Sequence, residues 1–206
     1  MEVMGVNPSQ FNSNPAEGET QGKRPVEMVT WFDAIEFCNK LSDKEGLTPV
    51  YTITGRTPSS GYPITAATVT AEWTNNGYRL PTEAQWEYAC RATGTTTKWT
   101  FGDDVNQLEN YAWYNANANG MTHQVGKKTA NAWGLYDMHG NVFEWCWDWA
   151  GTLTSNQTDY KGASSGAYRV LRGGSWGHLD DTSSAHCFEG NPLSVHNDFG
   201  FRVVLP

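Results

Sequence analysis

The sequence predicts an α+β domain with two helices, short strands and many irregular loops. Helical periodicity with a capping pattern at its start occurs at two places, and the rest of the chain consists of short β-forming runs separated by turn residues. Ten tryptophans and 21 glycines indicate large rings packed beneath irregular backbone rather than regular helical layers.

Length and charge limit the classes of protein to consider. A chain of 206 residues suits one domain spanning 1–206. The net charge of −8 argues against a nucleic-acid partner, because a phosphate backbone requires clustered Lys and Arg. No apolar run is long enough to span a bilayer, and no charged-then-apolar leader opens the chain. We therefore expect membrane contact only through an anchor outside this chain.

The first helix is predicted to begin at Thr30. Thr30 and Asp33 have the spacing of a capping box, in which the hydroxyl accepts from an orphan amide and the carboxylate favours the positive helix end. Helical spacing places on one face Trp31, Ile35, Cys38 and Leu41. Gly46 ends this run.

The second helix is predicted to begin at Thr82, which follows Pro81 and has Gln85 at capping-box spacing. One face of this helix carries Trp86, Ala89 and Cys90. Gly94 ends it. Between the two helices, the alternation within residues 59–76 predicts a hairpin that closes near residues 75–77.

The C-terminal part has two strand-like ends around an irregular segment. Val170 and Leu171 precede a Gly-Gly pair, and Val203 and Val204 follow the segment. Residues 177–199 show no period. A loop held by rigid structure at both ends is a common place for recognition, although an ordinary surface loop is the alternative.

The four cysteines have scattered spacing and form neither a C-x-x-C pair nor a zinc pattern. Cys38 and Cys90 fall on helical faces and are predicted to be small buried hydrophobes. Spacing alone assigns no disulfide.

Four motifs occur in order along nearly the whole chain. They are Pro25-Val26-Glu27 leading into Trp31, YRLPTEAQWEYA at 78–89, GLYDMHGNVFEW at 134–145, and Arg172-Gly173-Gly174-Ser175-Trp176 closed by Gly200-Phe201-Arg202. With these motifs the chain resembles the formylglycine-generating-enzyme family, which has a C-type lectin fold. The resemblance implies two helices packed on small twisted sheets, with a loop-rich face that binds. Relatives usually carry an N-terminal strand region before the segment equivalent to 3–9, so we expect the final strand, 201–205, to lack a partner or to find another one.

The oxidases of this family hold copper between two thiolates in the loop after Gly-Gly-Ser-aromatic, since soft thiolates select monovalent copper. Counted from Ser175, the two ligand positions fall at His178 and near Thr182 or Ser183, and neither is cysteine. Cys187 is the only thiol of the segment, and one thiolate cannot supply the pair. We therefore predict no enzyme activity, with a formylglycine-generating oxidase or its inactive relative as the alternative.

The same frame resembles the variable proteins of diversity-generating retroelements, whose cassettes are rewritten at template adenines. Asn codons ending in a pyrimidine, randomised at both adenines, never yield Lys, Glu, Gln, Met or Trp. Residues 177–199 contain one residue of these types, Glu189, where about four or five are expected from ordinary composition. The resemblance implies a non-catalytic ligand-binding protein with a hypervariable region of about residues 169–204, carried as a lipoprotein on a bacterial surface.

The predicted contact patch contains side chains that can change without repacking a core. Its members are His178, Leu179, Asp181, Ser184, His186, Phe188, Ser194, His196 and Asp198. Rings are expected to anchor the partner, an unidentified macromolecule with a protein favoured, and Asp and Ser to supply hydrogen bonds. For any single position, a solvated residue without a partner is the alternative. Trp176 and Arg202 are predicted to be structural, with the guanidinium bonded to loop carbonyls or to a carboxylate.

Two further possibilities concern metals and sugars. Asn141 and Glu144 match positions that bind calcium in family members, and their oxygens suit a hard cation. No cofactor is required for binding, so such calcium is expected to be structural; the alternative pairs Glu144 with Arg79 or Arg202. Glycan binding of the lectin type needs Glu-Pro-Asn and Trp-Asn-Asp triplets, and neither occurs.

Overall fold

The computed structural model describes residues 2–151 and 160–206. Its helices are α1 (Trp31–Lys44), α2 (Glu83–Arg91) and the short α3 (Leu108–Tyr111). Its strands are β1 (Tyr51–Thr57), β2 (Ala66–Ala71), β3 (Phe143–Trp149), β4 (Arg169–Arg172), β5 (Cys187–Gly190) and β6 (Phe199–Gly200). The predicted α+β class is therefore confirmed. The short helix α3 was not predicted, because four residues are too few to show helical periodicity.

The strands form two small sheets. β1 and β2 make an antiparallel pair, and the second sheet has the order β5-β4-β3-β6. Within it β3 is antiparallel to β4 and parallel to β6, with Glu144 opposite both Arg172 and Gly200. The last two motifs of the sequence therefore lie side by side on the central strands.

Both predicted helices are confirmed at their starts. The side chain of Thr30 accepts from the Asp33 amide and Asp33 returns a bond to the Thr30 amide, and Thr82 and Gln85 form the same reciprocal pair. None of the helices in the described part of the chain has the length and apolar character to cross a membrane.

The hairpin was predicted with the wrong strand pair. The strand within residues 59–76 is β2, and its antiparallel partner is the preceding strand β1, with Tyr51 opposite Ala71 and Thr57 opposite Ala66. Residues 75–77 follow the hairpin instead of closing it. The alternation of a strand fixes which side chains share a face, whereas the choice of neighbour depends on the rest of the sheet.

The region from β4 to the C-terminus contains one strand that was not predicted. The segment 177–199 contains a strand, β5, which pairs with β4 so that Phe188 lies opposite Leu171. In the final strand, Val204 exchanges two backbone hydrogen bonds with Arg79, so this end finds another partner, as the sequence had suggested.

Tryptophan rings occupy the core between α1 and the larger sheet. Trp31 and Trp145 are fully buried, and their indole N–H groups donate to the carbonyls of Cys146 and Val29. Cys38 and Cys90 are also fully buried, as predicted. Since each buried ring has its polar group satisfied, the core holds the larger sheet firmly beneath the C-terminal segment.

Candidate functional site

The Gly-Gly pair brings the chain from β4 into the C-terminal segment. Gly173 and Gly174 have positive φ values of 96° and 74°. A Cβ on Gly174 would lie 2.8 Å from the carbonyl oxygen of Asp181, and one on Gly173 would lie 3.1 Å from the Trp86 ring. Only glycine combines this backbone conformation with such close approach, so the pair fixes where the segment begins.

Arg172 binds the backbone in the middle of the segment from its buried side. This guanidinium is fully buried and donates to the carbonyls of Ser184, at 2.9 Å, and of His186. It also pairs with the carboxylate of Glu87 on α2. Because a guanidinium has several donors in a rigid plane, one side chain ties the loop backbone to the second helix.

A second anchor lies under Thr182. Nδ1 of His139 is 2.7 Å from the Thr182 carbonyl, and Nε2 is 3.2 Å from the Thr100 amide nitrogen. The Trp99 indole donates to the Thr182 hydroxyl at 3.2 Å. Burial lowers the pKa of His139 to about 4, so the ring is neutral near pH 7 and bonds as one donor and one acceptor.

The end of the segment, residues 196–198, is held by hydrogen bonds to its backbone carbonyls. The Trp176 indole donates to the Asn197 carbonyl at 3.1 Å, and the Phe143 amide donates to the Asp198 carbonyl at 2.7 Å. The Met28 amide donates to the His196 carbonyl at 2.9 Å. The structural role predicted for Trp176 is therefore confirmed.

The structure places most of the predicted patch residues at the surface. Exposed side chains belong to His178, Phe188 and His196, and partly exposed ones to Leu179, Asp181, His186, Ser194 and Asp198. Ser184 is the exception, because it is fully buried, accepts from the Cys90 thiol and donates its amide to the Lys98 carbonyl. Its inclusion in a contact patch is corrected, since its side chain faces the core.

Four of these residues meet in one cluster of two imidazole rings and two carboxylates. Nδ1 of His178 and Nε2 of His186 lie 3.0 and 3.2 Å from the two carboxylate oxygens of Asp181. Nε2 of His178 also lies 3.7 Å from the Asp198 carboxylate. No group of three or more His, Cys, Asp or Glu is arranged to hold a metal within residues 2–151 and 160–206.

Apolar side chains lie in the same segment. Phe188 is 38% exposed and packs against Phe143 with a centroid distance of 5.2 Å. Leu193 and Val195 are 45% and 37% exposed. Sequence reasoning missed these two residues, although their spacing of two around Ser194 is a signal that they share a side of an extended chain.

The four cysteine thiols differ in their burial. All four cysteines are free, and Cys38, Cys90 and Cys146 are fully buried. Burial raises the pKa of Cys187 to about 12 and that of Cys90 to about 11. Both groups are therefore protonated near pH 7.

The oxygens of Asn141 and Glu144 have hydrogen-bond partners within the protein. The Asn141 amide exchanges two hydrogen bonds with the backbone of His123, and its carbonyl accepts from the Trp176 amide. Both carboxylate oxygens of Glu144 accept from Arg202, at 2.5 and 2.7 Å. The structure shows the alternative pairing of Glu144 with Arg202, and calcium binding at these residues stays a prediction.

Asp137 is a buried carboxyl group that sequence reasoning missed. One oxygen accepts from the Gly126 amide at 2.7 Å, and the other has no protein partner among the described residues. Burial raises its pKa. Its position is marked in the sequence by the motif GLYDMHGN, and its φ of 54° places it at a tight turn.

Comparison with known proteins identifies the family to which this geometry belongs. The sulfatase-modifying factor enzyme 1-like domain matches residues 1–206. Chaperone protein LppX of Paenibacillus barcinonensis is 37% identical across 99% of this chain and 75% of its own length. The formylglycine-generating enzyme of Streptomyces coelicolor is 36% identical across 67% of this chain, which spans 49% of the enzyme.

Among solved structures, Treponema denticola variable protein 1 superimposes with a TM-score of 0.88 and 43% identity, covering 98% of this chain and 78% of that protein. The chain belongs to the formylglycine-generating-enzyme-like (FGE-sulfatase) family and has its C-type lectin fold. Within that family it is similar to a variable protein, as its C-terminal frame had indicated.

Proposed function

We propose that this chain is a non-catalytic binding protein that presents the outer side of residues 177–198 to a macromolecular partner, and that a retroelement diversifies this segment. The main support for this proposal is that the segment has a buried inner side and an exposed outer side. Arg172 and His139 hold the backbone from within, while the side chains of His178 and His196 face solvent. Exchange of the outer side chains leaves these anchors in place.

The chemistry of the outer side favours a protein partner. Phe188, Leu193 and Val195 supply exposed apolar surface, and the pairs of His178 and His186 with Asp181 supply polar groups. Protein interfaces combine apolar anchors with a polar rim in this way. The net charge of −8 disfavours nucleic acid. Similarity to a treponemal variable protein supports a place on a bacterial surface, held by an anchor outside this chain.

DNA sequence tests the diversification directly. We expect a near-identical template repeat near the gene, differing from it at adenines in the codons of the outward-facing residues. Across isolates, codons for His178, Phe188 and His196 should differ, while those for Arg172 and His139 stay fixed. A gene without a template repeat, with the outward codons invariant across isolates, would overturn the proposal.

Exchange of side chains tests whether the outer surface is independent of folding. The double variant His178→Ser/His196→Ser should unfold within about 1 kcal/mol of the parent, since exposed ion pairs contribute little. The matched variant Ser184→Leu should lose about 2 kcal/mol, because it overpacks a buried position. Urea unfolding measures both. Equal losses would show that the outer side chains belong to the core.

A formylglycine-generating oxidase is the second candidate function, favoured by identity to the Streptomyces enzyme. Activity of that kind would depend on the exposed thiol of Cys187. We expect no conversion of a cysteine peptide in the presence of copper, and no change in partner binding after Cys187→Ala. Turnover that disappears in Cys187→Ala would replace the binding function with a catalytic one.

A further inference from the structure

A cavity of about 360 Å³ lies between the start of α2, the end of β2 and the chain beyond residue 159. Its main side chains are Trp73, Arg79, Gln85, Tyr88, Tyr160 and Lys161. None of these residues belongs to segment 177–198, and nothing described above uses the cavity. Its volume is that of a site for a small molecule.

Two cations share one ring in this cavity. The guanidinium carbon of Arg79 lies 5.3 Å from the Trp73 ring centroid, and Nζ of Lys161 lies 4.8 Å from it. Two positive groups that both lie near one ring create a local positive potential in a protein of net charge −8.

The charge of these cations is not neutralised by ion pairs in the described part of the chain. Arg79 is 9% exposed and donates to the Leu80 carbonyl and the Gln85 amide oxygen, and neither Arg79 nor Lys161 has a carboxylate within 4.0 Å there. Glu72 lies close enough to Lys161 for the ammonium to help lower its pKa, after the hydrogen bonds from Thr74. Glu72 is exposed and does not line the cavity, so Arg79 and Lys161 are the charged side chains among the residues that line it.

The remaining walls are amphipathic. Tyr88 is 64% exposed, and Tyr160 faces the same cavity. Tyrosine offers a flat apolar face together with a hydroxyl, and Gln85 adds an amide at the rim. Such walls suit a ligand with one apolar ring face and several hydroxyl groups, which a plain aromatic acid lacks.

We propose that this cavity binds an acidic sugar, with the carboxylate of a uronic acid between Arg79 and Lys161 and the sugar ring against Tyr88 and Tyr160. The carboxylate makes charge-assisted hydrogen bonds with both cations. The ring hydroxyls bond to the tyrosine hydroxyls and the Gln85 amide. This site needs no calcium and is independent of the binding surface at residues 177–198.

The probe is glucuronate added to the whole chain, with the indole N–H signals of tryptophan followed by NMR. We expect a saturable shift of the signal that Trp73→Phe removes. Lys161→Gln should raise the Kd about three-fold, the effect of one exposed charge pair, whereas the exposed Lys127→Gln should leave it unchanged. Tyr88→Ala should raise the Kd by at least about three-fold. Glucose should bind at least about ten-fold more weakly.

Three outcomes would overturn this site. They are the absence of a saturable Trp73 shift with glucuronate, equal losses in Lys161→Gln and Lys127→Gln, and benzoate binding as tightly as glucuronate. The double variant His178→Ser/His196→Ser should bind glucuronate like the parent. Failure of the sugar site therefore remains separate from failure of the loop surface as a binding site.

Discussion

His139 shows how one residue connects the proposed binding surface to the core. Its Nδ1 faces the Thr182 carbonyl and its Nε2 faces the Thr100 amide, so the neutral ring with its proton on Nδ1 satisfies both partners. Protonation would place a second N–H against an amide donor. The loop conformation is therefore linked to the neutral state of a buried ring, and burial lowers the pKa of that ring to about 4.

Acid should destabilise the protein through this ring. The unfolded imidazole titrates near 6.5, so as the pH falls from about 6.5 to 4 the unfolded chain binds a proton that the folded chain does not. We expect His139 to account for a loss of about 3 kcal/mol across this window. Urea unfolding at neutral and acidic pH should show a shallower fall for His139→Gln than for the parent.

Asp148 acts in the opposite direction and must be separated from this effect. Burial raises its pKa to about 6, so its protonated form favours the folded state as the pH falls below that value. The difference between the parent and His139→Gln removes this contribution, because both chains retain Asp148. Identical pH profiles in the two chains would contradict the role assigned to His139.

Glu144 gives a test of the predicted calcium site. Its carboxylate holds Arg202 through two bonds, so Glu144→Gln leaves a partly buried guanidinium without its counter-charge and should cost about 3 kcal/mol. Calcium or a chelator should move the Tm of the parent by less than about 1 °C. A clear rise in Tm with calcium that Glu144→Gln abolishes would show that calcium binds at Glu144. Thermal unfolding followed by tryptophan fluorescence measures both.

At the scale of elements, the C-terminal segment depends on the turn that follows β4. Gly174 has a φ of 74° and lies against the backbone of Asp181 and Thr182, whereas Gly177 has no atom within 4 Å of a Cβ built on it. The two glycines lie three positions apart in one segment. Gly174 therefore tests a position that requires glycine, and Gly177 serves as a control position that does not.

Alanine at these two positions should have unequal effects. Gly174→Ala adds backbone strain and a clash with a carbonyl oxygen, so we expect a loss of about 2 kcal/mol or more. Gly177→Ala should stay within about 0.5 kcal/mol of the parent. Chemical unfolding measures both variants. Comparable losses would mean that the segment is not positioned by the Gly173-Gly174 turn.

Elements also show where local sequence was sufficient and where it was not. Both long helices were predicted to within one residue of their starts, because Thr30 and Thr82 form capping boxes from residues three positions apart. β2 was placed in the wrong hairpin, and β5 was missed. Strand partners are distant in sequence, and the four residues of β5 alternate too briefly to stand out.

At the scale of the whole molecule, the protein carries two separate surfaces proposed for binding. The first is the outer side of residues 177–198, and the second is the cavity around Trp73, which shares no residue with it. The larger sheet and the tryptophan core connect the first surface to α1 and α2. We expect exchange of side chains on the first surface to leave the second surface unchanged.

The amino-acid sequence by itself determined the α+β class, the family frame, the capped helices and the burial of Cys38 and Cys90. These features follow from local spacing and from motifs of adjacent residues. Only the tertiary structure decided that Ser184 faces inward, that Glu144 pairs with Arg202, and that Arg79 and Lys161 share the ring of Trp73. The physical reason is that side-chain direction and pairing depend on residues many positions apart, which packing brings together.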